Sequence, residues 1–136
     1  MEKLVVGASV ENLDAVTGFV EETLERYDCP IKAQFQIKLA VEEIFVNIAN
    51  YAYEGKEGTA EVRVSVRQDP LAAEICLVDS GKPFDPLKRD DPDLSMDAML
   101  DRVGGLGIFL VKKTMDEVSY RYENGCNMLT FIKRFV

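Results

Sequence analysis

The residues best suited to chemistry in this sequence are Glu43 and Asn47, which stand four positions apart in a run with helical periodicity. Residues at this spacing lie one turn apart on the same face of a helix. A carboxylate can accept a proton from a hydroxyl group, and an amide oxygen is a ligand that suits Mg²⁺. The pair is therefore a candidate general base with a candidate metal ligand. The alternative is an ordinary solvated helix flank.

The neighbouring carboxylate, Glu42, has a different setting from Glu43. It follows Lys38 by four positions and lies away from Asn47. Opposite charges at this spacing form ion pairs on helix surfaces. Glu42 is therefore predicted to be a surface ion-pair residue with no part in the chemistry.

A second candidate group stands where a strand-like run ends at Asp79, followed by Ser80 and Gly81. A carboxylate at that place can accept a hydrogen bond from an exocyclic amine such as N6 of adenine. Gly81, which has no side chain, allows the backbone and a ring to approach closely. The alternative is a simple turn, because Asp, Ser, Gly and Pro are common in all turns.

The third candidate is the glycine-rich run 104–107, which precedes an apolar helical segment. Free backbone N–H groups and the positive end of the helix dipole together favour phosphate binding. The run is neither a P-loop nor a dinucleotide-binding fingerprint, since an acidic loop precedes it where those motifs have a strand. The alternative here is a flexible hinge.

The elements that must position these groups follow from the apolar periodicity. Alternation of apolar and polar residues predicts strands, and spacings of three and four predict helices. The predicted strands are 4–6, 60–66, 73–78, 117–122 and 128–135, and the predicted helices are 10–26, 30–52 and 108–115. Hairpin-paired strands with helices between them predict an α+β two-layer sandwich, with a mostly antiparallel mixed sheet covered by three helices on one face.

Composition excludes several functions. The 136 residues suit one domain, and a net charge of −8 disfavours sequence-independent binding to nucleic acid. The absence of histidine removes Ser-His-Asp catalysis and any phosphohistidine relay. Three scattered cysteines, with no apolar run of membrane-spanning length, predict a reduced, cytoplasmic protein that does not insert in a membrane.

In this order, the three motifs resemble those of the GHKL (histidine-kinase-like) ATPase superfamily, and within it the RsbW-like anti-sigma-factor serine kinases. The resemblance covers nearly the whole chain. It is carried by LAVEEIFVN (39–47) with residues 52–53, DSGKPFDP (79–86), and RVGGLGIFL (102–110) with MDEV (115–118). It implies one Bergerat-type ATPase domain over 1–136. Tyr51 and Val46 depart from the family pattern, which often has a histidine and a small polar residue there.

The resemblance implies a role for each matching residue. Glu43 is implied to be the catalytic base, Asn47 the Mg²⁺ ligand, and Asp79, with Gly81 beside it, the group that recognises adenine. The other implied nucleotide-binding residues are Arg102 near the terminal phosphates, Gly105, Leu106 and Gly107 at the base of an ATP lid of about 87–103, and Thr130, which supports Asp79.

The implied activity is that of an ATP- and Mg²⁺-dependent serine/threonine protein kinase. Its implied substrate is a serine of an anti-anti-sigma (STAS-domain) protein, and the kinase, expected to be a homodimer, sequesters a sigma factor. One alternative is a non-catalytic, nucleotide-gated module that binds a partner. The other is a detached histidine-kinase catalytic domain, which is disfavoured because the sequence encodes no phosphoacceptor histidine.

Overall fold

Five strands form one sheet in the computed structural model, which describes residues 1–88 and 106–136. The strands are β1 (Glu2–Gly7), β2 (Thr59–Arg67), β3 (Ala72–Asp79), β4 (Glu117–Glu123) and β5 (Cys126–Arg134). Their order is β1-β2-β3-β5-β4, and every neighbouring pair is antiparallel. The last strand of the chain therefore lies inside the sheet, directly beside β3.

The described residues also form three α-helices: α1 (Leu13–Arg26), α2 (Ile31–Asn47) and α3 (Leu106–Thr114). The last turn before the following loop, Ile48–Ala52, continues α2 as a π-helix. Such turns occur frequently at functional sites. The predicted α+β sandwich is confirmed. No helix in the described ranges is both long and apolar enough to cross a membrane.

The core lies between the helices and one face of the sheet. Alternate residues of the central strands point into it, and the register aligns Val64 with Ile75 and Ile75 with Phe131 across three strands. Ile37 and Phe45 of α2 belong to the same buried cluster. This packing fixes α2 over the centre of the sheet, so its C-terminal half ends above the end of β3.

The β4–β5 turn fixes the position of the last strand. Asn124 and Gly125 both have positive φ, at 53° and 77°, as a two-residue type I′ hairpin requires. The predicted hairpin at this dipeptide is confirmed. Because β5 also pairs with β3, the tight turn sets which β5 side chain lies opposite Asp79.

Candidate functional site

A pocket of about 470 Å³ opens between the C-terminal part of α2, the end of β3 and the start of α3. This volume is typical of small-molecule sites. Four of the predicted catalytic and binding residues line it, namely Glu43, Asn47, Asp79 and Gly107. Part of the wall is apolar and suits a flat ring; it is formed by Ile44, Ile48, Leu77, Ile108 and Leu129.

The α2 side of the pocket carries the candidate base and metal ligand. Glu43 is exposed to solvent and Asn47 is half-buried one turn further along. A methyl group added to Gly107 would overlap the Glu43 carboxylate, so the first turn of α3 lies directly against this side chain. The carboxylate, the amide and the positive end of the α3 dipole therefore converge at one end of the pocket.

Glu42 lies outside the pocket lining and is exposed. The predicted ion pair between Lys38 and Glu42 is wrong, because Lys38 Nζ lies 2.9 Å from Glu21 Oε2 on α1. Packing of α1 against α2 offers Lys38 a partner that the spacing within α2 alone could not reveal. Glu42 remains a solvent-exposed carboxylate next to Glu43.

Asp79 forms the opposite side of the pocket, at the end of β3, and is only 7% exposed. Its Oδ1 accepts hydrogen bonds from Gly81 N and from Asn127 Nδ2, both at 2.9 Å. Its Oδ2 receives no hydrogen bond from the described residues. Because Asp79 lines the pocket, a ligand that brings an N–H donor can form a hydrogen bond with this oxygen.

Gly81 is required by a contact with the end of α2. A Cβ at this position would lie 2.7 Å from the carbonyl carbon of Ala52, and Lys82 N donates a hydrogen bond to Ala52 O at 3.2 Å. Gly81 itself is not part of the pocket lining. The close approach that was expected between this glycine and a ligand ring is made to the Ala52 backbone, which couples the turn after β3 to α2.

Gly81→Ala is therefore expected to destabilise the fold by about 1–3 kcal/mol, because neither backbone can move without losing the Lys82–Ala52 hydrogen bond. Thermal unfolding measures this effect. Gly18→Ala is the matched control: Gly18 lies in α1 with no atom within 4 Å of an added Cβ, and alanine is the better helix former. Equal unfolding temperatures for Gly81→Ala and the wild type would contradict the prediction.

Tyr53 holds the turn after β3 from a second side. Its hydroxyl accepts a hydrogen bond from Ser80 N at 2.8 Å and donates one to Thr59 O. The turn that carries Asp79 is thus fixed by Tyr53 at Ser80 and by Ala52 at Lys82. The backbone that carries Asp79 is therefore held in place on both sides of the turn.

Thr130 does not lie at Asp79. In the register of β3 and β5 it stands opposite Cys76, whereas Asn127 stands opposite Asp79. Positions three apart on a strand face opposite sides of the sheet, so the support expected from Thr130 comes from Asn127. The sequence carries a signal for this residue, because Asn127 is a polar side chain in alternation with two apolar ones. Leu129 and Phe131, the next residues on the same face of β5, are both buried.

Three other predicted nucleotide-binding residues cannot be placed at the pocket. Arg102 and Gly105 lie outside the described residues, as does the predicted lid beyond Lys88. Leu106 begins α3. Within residues 1–88 and 106–136, no group of three or more His, Cys, Asp or Glu side chains is arranged to hold a metal ion.

Comparison with known proteins gives matches over most of the chain. The profile of the histidine kinase-like ATPase domain matches residues 6–133. The serine-protein kinase RsbW of Listeria monocytogenes is 30% identical over 126 residues, which cover 89% of this chain and 73% of that protein. RsbW of Bacillus pumilus is 30% identical over 142 aligned positions, covering 96% of this chain and 78% of that protein.

Solved structures show the same fold at lower sequence identity. The RsbU and RsbW domains of a Mycobacterium tuberculosis protein give a TM-score of 0.66 at 14% identity, covering 98% of this chain and 32% of that one. A blue-light activated histidine kinase of Erythrobacter litoralis gives 0.62 at 17% identity, covering 90% of this chain and 42% of that one. Both structures therefore share the fold of this chain.

Proposed function

Because this chain belongs to the histidine kinase-like ATPase family, and within it to the RsbW-like anti-sigma-factor serine kinases, we propose that it is an ATP-dependent protein kinase. Its proposed substrate is a serine of an anti-anti-sigma (STAS-domain) protein, and its second partner is a sigma factor that it sequesters. The homodimer implied by the resemblance belongs to the same proposal.

The observation that carries the proposal is the buried Asp79 carboxylate, which has one oxygen without a donor, in a pocket shared with Glu43 and Asn47. Adenine presents an N6 amine to such an acceptor, and the apolar wall suits its ring. A nucleotide whose base lies at Asp79 then extends its phosphates toward Glu43 and the start of α3.

The residues present also fit Mg²⁺, since it commonly takes one or two protein oxygens together with phosphate oxygens and water. Asn47 Oδ1 is the proposed protein ligand. A Mg²⁺ ion bound there would neutralise part of the phosphate charge, which matters in a chain with a net charge of −8. In the proposed reaction, Glu43 accepts the proton of the serine hydroxyl, and the serine oxygen bonds to the γ-phosphorus. The bond from that phosphorus to the β,γ-bridging oxygen breaks, and ADP leaves.

The first test of this function is calorimetric titration of the protein with ATP in the presence of Mg²⁺, followed by transfer of labelled γ-phosphate to a STAS-domain partner from the same genome. Saturable binding and a phosphoserine product support the proposal. Absence of binding at millimolar ATP would overturn it and leave a partner-binding module on this fold.

Asn47→Ala is expected to bring the affinity for ATP in Mg²⁺ close to the affinity measured in EDTA, because the proposed protein ligand of the ion is gone. The measurement is a pair of titrations, with Mg²⁺ and with EDTA. Asn50→Ala is the control, since Asn50 is exposed in the π-helical turn and outside the pocket lining. An unchanged Mg²⁺ effect in Asn47→Ala would place the ion on other ligands.

A further inference from the structure

Asn127 lies at the centre of a hydrogen-bond network that the proposed chemistry does not use. Its Nδ2 donates to Asp79 Oδ1 and to Lys82 O, each at 2.9 Å, and makes a longer hydrogen bond of 3.4 Å to Gly81 O. Its Oδ1 accepts from Phe84 N at 3.0 Å and from the Tyr120 hydroxyl. The residue is only 7% exposed, so these bonds form away from bulk water.

These bonds use the whole capacity of the amide, which has two donor hydrogens and two main acceptor sites. The orientation of the amide is also determined, because Phe84 N can only donate and the Asp79 carboxylate and Lys82 carbonyl oxygens accept. Asn127 therefore has no group left for a ligand, although it lines the pocket. Any effect that it has on a bound molecule must pass through the groups that it holds.

Tyr120 is suited to remain a donor in this network. Burial, and then the nearby carboxylates of Asp85 and Asp79, raise the pKa of the Tyr120 phenol above its ordinary value. The hydroxyl thus stays protonated at neutral pH and keeps Asn127 Oδ1 occupied. With that side fixed, Nδ2 can only point toward Asp79 and Lys82.

We propose that Asn127 is the positioning residue for base recognition: by holding Asp79 Oδ1 and the segment 82–84, it directs Asp79 Oδ2 at the exocyclic amine of the bound purine. The proposal rests on the proposed function, because it assumes that the pocket binds ATP. It adds a residue on β5 that sets the preference for a purine with an amine at this position.

The geometry explains why the network acts on selectivity as well as on stability. Asp79 Oδ1 already has two donors, Gly81 N and Asn127 Nδ2, and this leaves Oδ2 as the oxygen available to the pocket. Without Asn127, the carboxylate loses one of the two bonds that fix its rotation about Cβ–Cγ. Its free oxygen is then no longer held toward the ligand amine.

The test compares the affinities of Asn127→Ala for ATP and for purine riboside triphosphate, which lacks the exocyclic amine. We expect the variant to bind ATP roughly tenfold more weakly, the size of one hydrogen bond to a charged group. We expect little change for the analogue, so the discrimination between the two nucleotides falls by about the same factor. A general loosening of the pocket would weaken both nucleotides equally.

Two further variants keep the test decisive if Asn127→Ala folds poorly. Tyr120→Phe removes one hydroxyl from the network and is expected to reduce the discrimination between ATP and the analogue by a smaller factor. Thermal unfolding without nucleotide shows whether each variant is folded. Thr130→Val is the control on the same strand, because Thr130 faces away from Asp79.

The outcomes separate this inference from the proposed function. If the wild type binds ATP and Asn127→Ala and Tyr120→Phe both discriminate as well as Thr130→Val, the positioning role is overturned while the ATP site stands. If the wild type binds neither nucleotide, the proposed function fails, and the positioning role fails with it.

Discussion

Glu43→Gln is expected to lower the rate of phosphoryl transfer to the partner serine by about 10²–10⁴-fold, the usual contribution of a positioned general base. The amide keeps the size of the side chain and its place beside Gly107 but cannot accept the hydroxyl proton. The affinity for ATP should change little, since the proposed contacts of the adenine ring, with Asp79 and the apolar wall, lie at the other end of the pocket. Single-turnover transfer of labelled phosphate and calorimetry measure the two effects separately.

Glu42→Gln is the matched control for that experiment. It makes the same change of charge on the adjacent residue, which is exposed and outside the pocket lining. A comparable loss of rate in both variants would show that the overall charge on α2, and not proton transfer to Glu43, accounts for the effect. Full activity in Glu43→Gln would contradict the assignment of Glu43. A non-catalytic partner-binding module would show no transfer in the wild type or in either variant.

Asp79→Asn is expected to weaken ATP binding roughly 100-fold, near the upper range for a hydrogen bond to a charged group. The new amide can present an N–H group to the adenine amine, or turn it toward Asn127 Nδ2, which is itself a donor. Either orientation sets two donors against each other. Calorimetry in Mg²⁺ measures the loss, and thermal unfolding without nucleotide shows whether the fold survives.

Asp69→Asn provides the control for Asp79→Asn, because Asp69 is exposed near the other end of β3. Its positive φ of 55° is also tolerated by asparagine. Unchanged ATP affinity is expected for this variant. If Asp79→Asn also keeps full affinity for ATP, adenine is recognised elsewhere. The buried Asp79 carboxylate then no longer supports the proposed function.

Much of this fold could be predicted from local sequence. The alternation from Ala60 to Val66 and the Asn124–Gly125 dipeptide specify strands and a hairpin through nearest neighbours, and the structure has both. The motif around Glu43 and Asn47 places two side chains on one helical face, which needs only the helical repeat. These inferences succeed because each depends on residues within a few positions of one another.

The wrong or incomplete predictions all depended on tertiary contacts. The partner of Lys38 is on α1, the reason for glycine at position 81 is the Ala52 backbone, and the partner of Asp79 is on β5. The choice between Thr130 and Asn127 required the pairing register of two strands that are far apart in the chain. Spacing within one element carries no information about that register.

The pairing of β3 with β5 also links the proposed nucleotide site to the completion of folding. Asp79 and its partner Asn127 are 48 positions apart, and the hydrogen bond between them forms only when the last strand of the sheet has entered between β3 and β4. A chain that has assembled β1, β2 and β3 alone has the Asp79 carboxylate without its hydrogen-bond partner Asn127. At the proposed site, ATP at a hundred times its dissociation constant would therefore stabilise the complete five-stranded sheet by about 2.7 kcal/mol over partly assembled forms that do not bind it.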